Sequence, residues 1–368
     1  MGMGKLINTI LVYINNHPFS LAYSCWRKYV SRCKKYTDIE YMYGYWYHRD
    51  KKSNDPVYFI FRFELPGTGI GSAANTMIFC YDWAIKNGVV PIIDLEGKGI
   101  YNNGKVGEQN VWEYCFDQSI PIKEALKQRN VYISCLGSTL SDGQTCKRIN
   151  SDKRDISIHF VNRPEYYKEL KSIGDNYLKL TSRLNDDVKE YIDQNLRGFN
   201  VLGVALREEF SLFPNGTKDD NLQFYHNHPK ILNVKESINI VKKYFEEWEC
   251  HKIFLSTMYE DSVEEFKDVF GDKVIFFPRK RERLYEAKQF INDIWENHGS
   301  NKKTNSYFRT DEWYERTVTY MEEIYILANC ENLIGAPSSV SALAAIINGG
   351  KYNNIYFFED LNHIAKIN

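Results

Sequence analysis

Three short runs carry residue types suited to holding an anion. Gly67-Thr68-Gly69-Ile70-Gly71 follows the apolar run 57–61 and precedes a helical pattern. Glycines so closely spaced leave no Cβ between backbone and ligand. The first amides of the next helix, with the positive end of its dipole behind them, face the same spot. Arg207 follows Val201-Leu202-Gly203-Val204-Ala205-Leu206, so its guanidinium emerges at a strand end, suited to a bidentate phosphate contact. In Gly335-Ala336-Pro337-Ser338-Ser339 two hydroxyls adjoin the amides of a new helix, and Pro337 sets the turn. Each run also has a plainer reading. These are a tight strand-to-helix turn, a salt bridge from Arg207 to a nearby acid, and helix capping by Ser338 or Ser339.

The glycine spacing excludes two common nucleotide loops. No Gly-Lys-Ser/Thr follows, as a P-loop would need. Read from Gly67, the pattern G-x-G-x-G continues Ser72-Ala73-Ala74, so the dinucleotide fingerprint fails at its third glycine.

The elements that must position these runs alternate between strand and helix patterns from residue 57 onward, which predicts parallel-sheet domains. The first half reads as strand 57–63, helix 72–87, strand 89–94, a helical stretch 122–128 and strand 131–136. Residues 166–196 read as one long helix, with Leu170, Ile173, Tyr177, Leu180, Leu184, Val188 and Ile192 recurring at helical spacing. The second half reads as strands 201–206, 252–256, 274–277, 332–335 and 355–358. Helices are expected over 235–248, 262–270, 311–328 and 339–347. Residues 279–310 form the least regular insertion. Its opening run, Arg279-Lys280-Arg281-Glu282-Arg283, is expected to be a solvated face, with a phosphate-facing role as the lesser reading. The division is 1–55, a basic aromatic N-terminal segment; 56–198, a first α/β domain; and 199–368, a second. Two Rossmann-like, doubly wound domains facing across a cleft would place a ligand at the carboxyl ends of their strands.

The 368 residues exceed one ordinary core and fit two domains. A net charge of −1 excludes a broad polyanion-binding surface, so nucleic acid is not an expected partner. The eight cysteines include no C-x-x-C pair and read as buried thiols in a reducing compartment, the cytoplasm. No run reaches the ~18 apolar residues of a membrane span. Residues 1–52 nevertheless hold nine Lys/Arg against three acids, interleaved with aromatics. That composition suits either a helix packed on the body or a peripheral contact with the inner face of a membrane. Metal-ligand spacing is absent, and His226-Asn227-His228 lacks a third partner.

In family order, several runs resemble the GT-B-fold fucosyltransferase superfamily, and most closely its α-1,6-fucosyltransferase group. Gly67-x-Gly69-x-Gly71 and Pro91-Ile92-Ile93-Asp94-Leu95-Glu96 resemble the acceptor-side opening. The strand ending at Arg207 is similar to the family's His-x-Arg-Arg strand, whose first arginine holds the donor diphosphate. Phe254-Leu255-Ser256-Thr257 resembles the strand end near base and ribose. Glu323 with the Ser338-Ser339 turn resembles the final motif. The departures are Ala205 for histidine, Glu208 for the second arginine, Met258-Tyr259 for two aspartates and Val340 for glutamine.

The resemblance implies a metal-independent, inverting glycosyltransferase without a cofactor, moving fucose from GDP-fucose to a glycan or lipid-linked glycan hydroxyl. Arg207, Thr257, Glu323, Ser338, Ser339, Gly69 and Gly71 would bind the donor, and Asn75 would lie on the acceptor side. Glu209, with Glu208 as its neighbour, would take the acceptor proton. Two other readings stand beside this one: another nucleotide-sugar donor on the same fold, and a catalytically silent nucleotide- or glycan-binding protein.

Overall fold

The computed structural model describes residues 44–64, 70–96, 110–135, 164–206, 233–283, 313–336 and 338–358. The chain is α/β and divides into two compact units. The described residues of the first are 44–64, 70–96, 110–135, 176–181 and 313–317; the rest belong to the second. The second unit therefore takes in 164–175 and 182–198, whereas the sequence reading divides the chain at 198.

The first unit is built from β1 (Gly44–His48), β2 (Tyr58–Glu64), α1 (Ile70–Lys86), β3 (Val90–Glu96), two single turns α2 (Trp112–Cys115) and α3 (Ile122–Ala125), and β4 (Val131–Cys135). Its strand order is β1-β4-β2-β3, with β2 parallel to both neighbours and β1 antiparallel at the edge. Alternation along β2 sends side chains to opposite faces. Ile60 packs with Ile92, Val131, Ile133 and Ala125 of α3. Phe59 turns the other way, its ring 4.9 Å from Trp83 of α1 and 5.1 Å from Tyr132. Helices thus cover both faces.

The outer edge of β3 is occupied by side-chain amides. Asn110 Oδ1 accepts from Leu95 N (2.9 Å) and its Nδ2 donates to Ile93 O (2.6 Å), while Gln118 Oε1 accepts from Ile93 N (2.6 Å). These bonds satisfy backbone groups that an open edge would leave available for another strand.

The second unit contains α4 (Pro164–Tyr177), α5 (Ser182–Asn195), β5 (Val201–Ala205), α6 (Val234–Glu247), β6 (Lys252–Ser256), α7 (Glu260–Phe270), β7 (Val274–Ile275), α8 (Trp313–Leu327), β8 (Asn332–Gly335), α9 (Ser339–Asn348) and β9 (Asn354–Phe357). The last residues of α4 and the first of α8 fall in the first unit. The sheet is all parallel, in the order β7-β6-β5-β8-β9. Leu202, Val204, Ile253, Leu255 and Ile334 face Ile238, Val241 and Phe245 of α6 and Val263 and Phe266 of α7. Each such side chain contributes about 1.5–3 kcal/mol over its exposed state. The opposite face holds Gly203, Phe254 and Ser256. A Cβ on Gly203 would come within 3.1 Å of Leu327, and Tyr191 of α5 sits edge-on to Phe254.

Three expectations are corrected. The helix expected over 166–196 is two helices, because residues 178–181 leave the helix to pair with 115–117: Asp117 N donates to Lys179 O and Thr181 N to Cys115 O. Periodicity missed this break because Leu180 keeps the helical stride. The helix after the glycine run starts at Ile70, so Gly71 lies in the first turn of α1, buried, and not in the loop. β7 stops at Ile275, and 276–283 instead runs beside the end of β6, with Glu260 N donating to Glu282 O and Glu282 N to Met258 O.

Cys80, Cys115, Cys250 and Cys330 are buried thiols. Burial pushes the Cys250 thiol up to about 11 and the Cys330 thiol well above its ordinary value, so neither is a ready nucleophile. Among the described residues no helix is long and apolar enough to cross a membrane.

Candidate anion site at the carboxyl edge of the second sheet

In the second sheet the chain winds outward from β5 through β6 to β7, then returns to β8 on the other side of β5. The reversal lies between β5 and β8. In open parallel sheets the crevice at such a point, outside the carboxyl ends of the strands, is where ligands bind.

Three neighbouring strands end there in one row, Ser256, Ala205 and Gly335. Two inter-strand spacings put Ser256 about 10 Å from Gly335. The row continues outward: Leu206 N donates to Ser256 O (3.0 Å) and Ala336 N to Ala205 O (3.3 Å). Arg207, Glu208 and Glu209 follow Leu206 directly and lie outside the described residues, as do Gly69 and Pro337.

On the β8 side the chain turns into α9. Ser338 N donates to Ala336 O (2.7 Å), and Ser341 Oγ donates to the same carbonyl (2.6 Å). Gly335 makes this approach feasible: a Cβ there would stand 2.7 Å from Ser341 Oγ and 3.0 Å from Ala205 O. Ser338, extended at φ −118° and ψ 170°, precedes the helix, but its side chain makes no capping hydrogen bond. The helix-capping reading of Ser338 therefore finds no support. The opening amides of α9 have no carbonyl within their own helix.

On the β6 side stands a buried charge cluster. Glu323 of α8 is fully buried. Its Oε2 accepts from Ser256 Oγ at 2.7 Å, and its Oε1 accepts from an Arg281 Nη at 3.1 Å. Arg279 Nε lies 3.0 Å from that same Oε1, without hydrogen-bond alignment. Arg279 also donates to Thr257 O (2.5 Å) and Arg281 to Phe277 O (3.1 Å). The Arg281 guanidinium lies 4.8 Å from the Phe276 ring centroid. Burial pushes the Glu323 carboxyl above its usual range, against the pull of the two guanidiniums and the Ser256 hydroxyl. Burial likewise pushes Arg281 down. Glu323 is the carboxylate that both guanidiniums contact, and Glu260 adds a longer-range pull on Arg281.

The structure therefore brings Thr257, Glu323, Ser338 and Ser339 to one edge of one sheet. Thr257 is engaged locally, its Oγ1 accepting from Tyr259 N at 3.2 Å. Gly71 and Asn75 lie in α1 of the first unit, both buried. In the same unit, Arg62 of β2 pairs across strands with Asp94 of β3 at 3.2 Å. Sequence reasoning put Arg279 and Arg281 on a solvated face first, with a phosphate-facing role as the lesser reading, and did not foresee their pairing with Glu323. The available signal was the i, i+2 spacing, which in extended chain puts both arginines on one side. Among the described residues no group of three His, Cys, Asp or Glu is placed to hold a metal ion.

Neither a family model nor a curated protein sequence matches the chain. Among solved structures it is similar to the fucosyltransferase NodZ from Bradyrhizobium, at 14% identity over 79% of this chain and 92% of that one, TM-score 0.44. It is similar to NodZ α-1,6-fucosyltransferase soaked with GDP-fucose, at 15% identity over 80% and 93%, TM-score 0.43. It is also similar to POFUT1 in complex with GDP, at 11% identity over 84% and 100%, TM-score 0.44.

Proposed function

We propose that this chain is a glycosyltransferase that binds a nucleotide-sugar donor, GDP-fucose first among the candidates, with the diphosphate at the carboxyl edge of the second sheet. The observation that carries the reading is the strand reversal between β5 and β8, with the opening of α9 on one side and the Arg279–Arg281–Glu323 cluster on the other. Helix-start amides and guanidiniums are suited to the negative charge that grows on a departing nucleoside diphosphate. They supply that counter-charge through hydrogen bonds alone. In the proposed reaction the acceptor hydroxyl attacks the anomeric carbon, the bond from that carbon to the diphosphate oxygen breaks, and the configuration inverts. Glu209 takes the hydroxyl proton. Residues 1–52, rich in basic and aromatic side chains, are proposed to hold the enzyme near a membrane-bound glycan acceptor.

The departures in the donor motif, above all Glu208, make the base and sugar of the donor the first question. Thermal denaturation in the presence of GDP, UDP, CDP and their sugars answers it. GDP and GDP-fucose are expected to raise the melting temperature, and Glu209→Gln to slow transfer while leaving that rise intact. Stabilisation by UDP alone would replace the donor. No stabilisation by any nucleoside diphosphate would end the reading.

A further inference from the structure

We propose that Arg279 is the diphosphate-binding cation on the β6 side of this site, a phosphoanion contact that Arg281, its neighbour on the same segment, does not share. The proposal rests on the nucleotide-sugar reading for the identity of the anion, though not for its existence.

The argument begins with charge. Glu323 carries at most one negative charge, yet two guanidiniums converge on it, both on Oε1, while Oε2 is taken by the Ser256 hydroxyl. Neither arginine makes the two-pronged fork that saturates a carboxylate pair. The side chains of Glu323, Arg281 and Arg279 are 0%, 1% and 10% exposed, so the excess positive charge is largely out of water. Such a charge is costly unless an anion answers it.

Burial and partners then separate the two arginines. Arg281 is sealed between the Phe277 carbonyl, Glu323 and the Phe276 ring. Arg279 is the one whose side chain reaches the surface. A guanidinium has five N–H donors. For Arg279 the described residues provide one aligned acceptor, the Thr257 carbonyl, and its Nε has no hydrogen bond.

That carbonyl belongs to the residue just past the end of β6, in the row that includes Leu206 and Ala336. Arg279 is thus tethered at the strand ends where a parallel sheet binds ligands. Glu323 acts here as a positioning residue, holding the segment 276–283 by Arg281, with Arg279 against the same carboxylate oxygen.

A purely structural Arg279 and a ligand-binding one predict opposite results for Arg279→Met. If Arg279 is needed to neutralise Glu323, the variant loses stability. If it is the excess cation, the variant leaves a balanced Glu323–Arg281 pair, and the ligand-free melting temperature stays close to that of the unaltered chain. The probes are inorganic pyrophosphate, GDP, UDP, guanosine and uridine, followed by calorimetry on the full chain.

The expected result is that pyrophosphate and a nucleoside diphosphate bind the unaltered chain and bind Arg279→Met about 10–100-fold more weakly, as for a lost charge-assisted contact. The matching nucleoside should bind both equally. Arg283→Ala, which removes an exposed partner of Glu264, should leave all affinities unchanged. Arg279→Lys, which keeps the charge and loses the fork, should fall in between.

Undiminished diphosphate binding by Arg279→Met overturns the inference and leaves the donor reading standing. Pyrophosphate binding that Arg279→Met loses, with no nucleoside diphosphate bound by either protein, upholds Arg279 and ends the donor reading. An Arg279→Met that unfolds, with Arg279→Lys binding pyrophosphate as tightly as the unaltered chain, makes the residue structural and overturns the inference. So does an unaltered chain that binds no anion.

Discussion

Glu323→Ala is expected to destabilise the fold by about 3–5 kcal/mol, the range for removing one partner from a buried ion pair. The carboxylate is inaccessible to water and is the acceptor for Arg281 and for the Ser256 hydroxyl, with Arg279 beside it. Its loss leaves two guanidiniums facing each other across a cavity, and a hydroxyl at the end of β6 without its acceptor. Glu323→Gln keeps the volume and the bond from Ser256 but not the charge, so it should recover only part of the loss. Adding Arg279→Met to Glu323→Ala removes one of the stranded cations and should recover part of the loss, a coupling that a double-mutant cycle isolates. Urea denaturation at neutral pH measures all five proteins, the unaltered chain and the Arg279→Met single variant included. A loss below about 1 kcal/mol for Glu323→Ala would mean that water or a residue outside the described segments already neutralises the arginines.

The second large effect is expected at Gly335. Its Cβ position lies 2.7 Å from Ser341 Oγ and 3.0 Å from both the Cβ and the carbonyl oxygen of Ala205. Ser341 is itself held by the Ala336 carbonyl, and a neighbouring strand backbone has little room to retreat. Overpacking of this kind typically costs about 1–3 kcal/mol. Gly335→Val, with two further carbons, is expected at the upper end, near 3 kcal/mol, and Gly335→Ala nearer 1. The strain falls where β8 hands over to α9, so the opening of the helix must shift away from the end of β5. Gly335→Val should therefore also lose stabilisation by nucleoside diphosphates. Thermal denaturation with and without nucleotide gives both readouts, and a valine variant that matches the unaltered chain in each would refute the close-packing argument.

Much of this architecture is written in local patterns. The continuous apolar run at 201–205 predicts a buried strand, and it is one, as is the strand expected at 332–335. Ser338 stands at the start of α9, where its type suggests, although its side chain makes no capping bond. Misreadings arose where a distant segment overruled a local pattern. Leu180 keeps the helical stride of its neighbours, yet its segment bridges to Phe116 and the helix breaks. Val274 to Phe277 reads as a strand, yet only two residues pair with β6.

The buried charge cluster shows the division most clearly. Arg279-Lys280-Arg281 looks like solvated surface because the cost of burying a cation depends wholly on what neutralises it. Here that partner is Glu323, 42 residues beyond Arg281 in the chain. Residue types and their period already determined the alternation of strands and helices. That alternation follows from interactions among near neighbours. The tertiary structure decided the order of the strands, and with it the reversal between β5 and β8. It also decided that two arginines share one carboxylate at the strand ends, because strand order and charge burial are set by contacts between segments far apart in sequence.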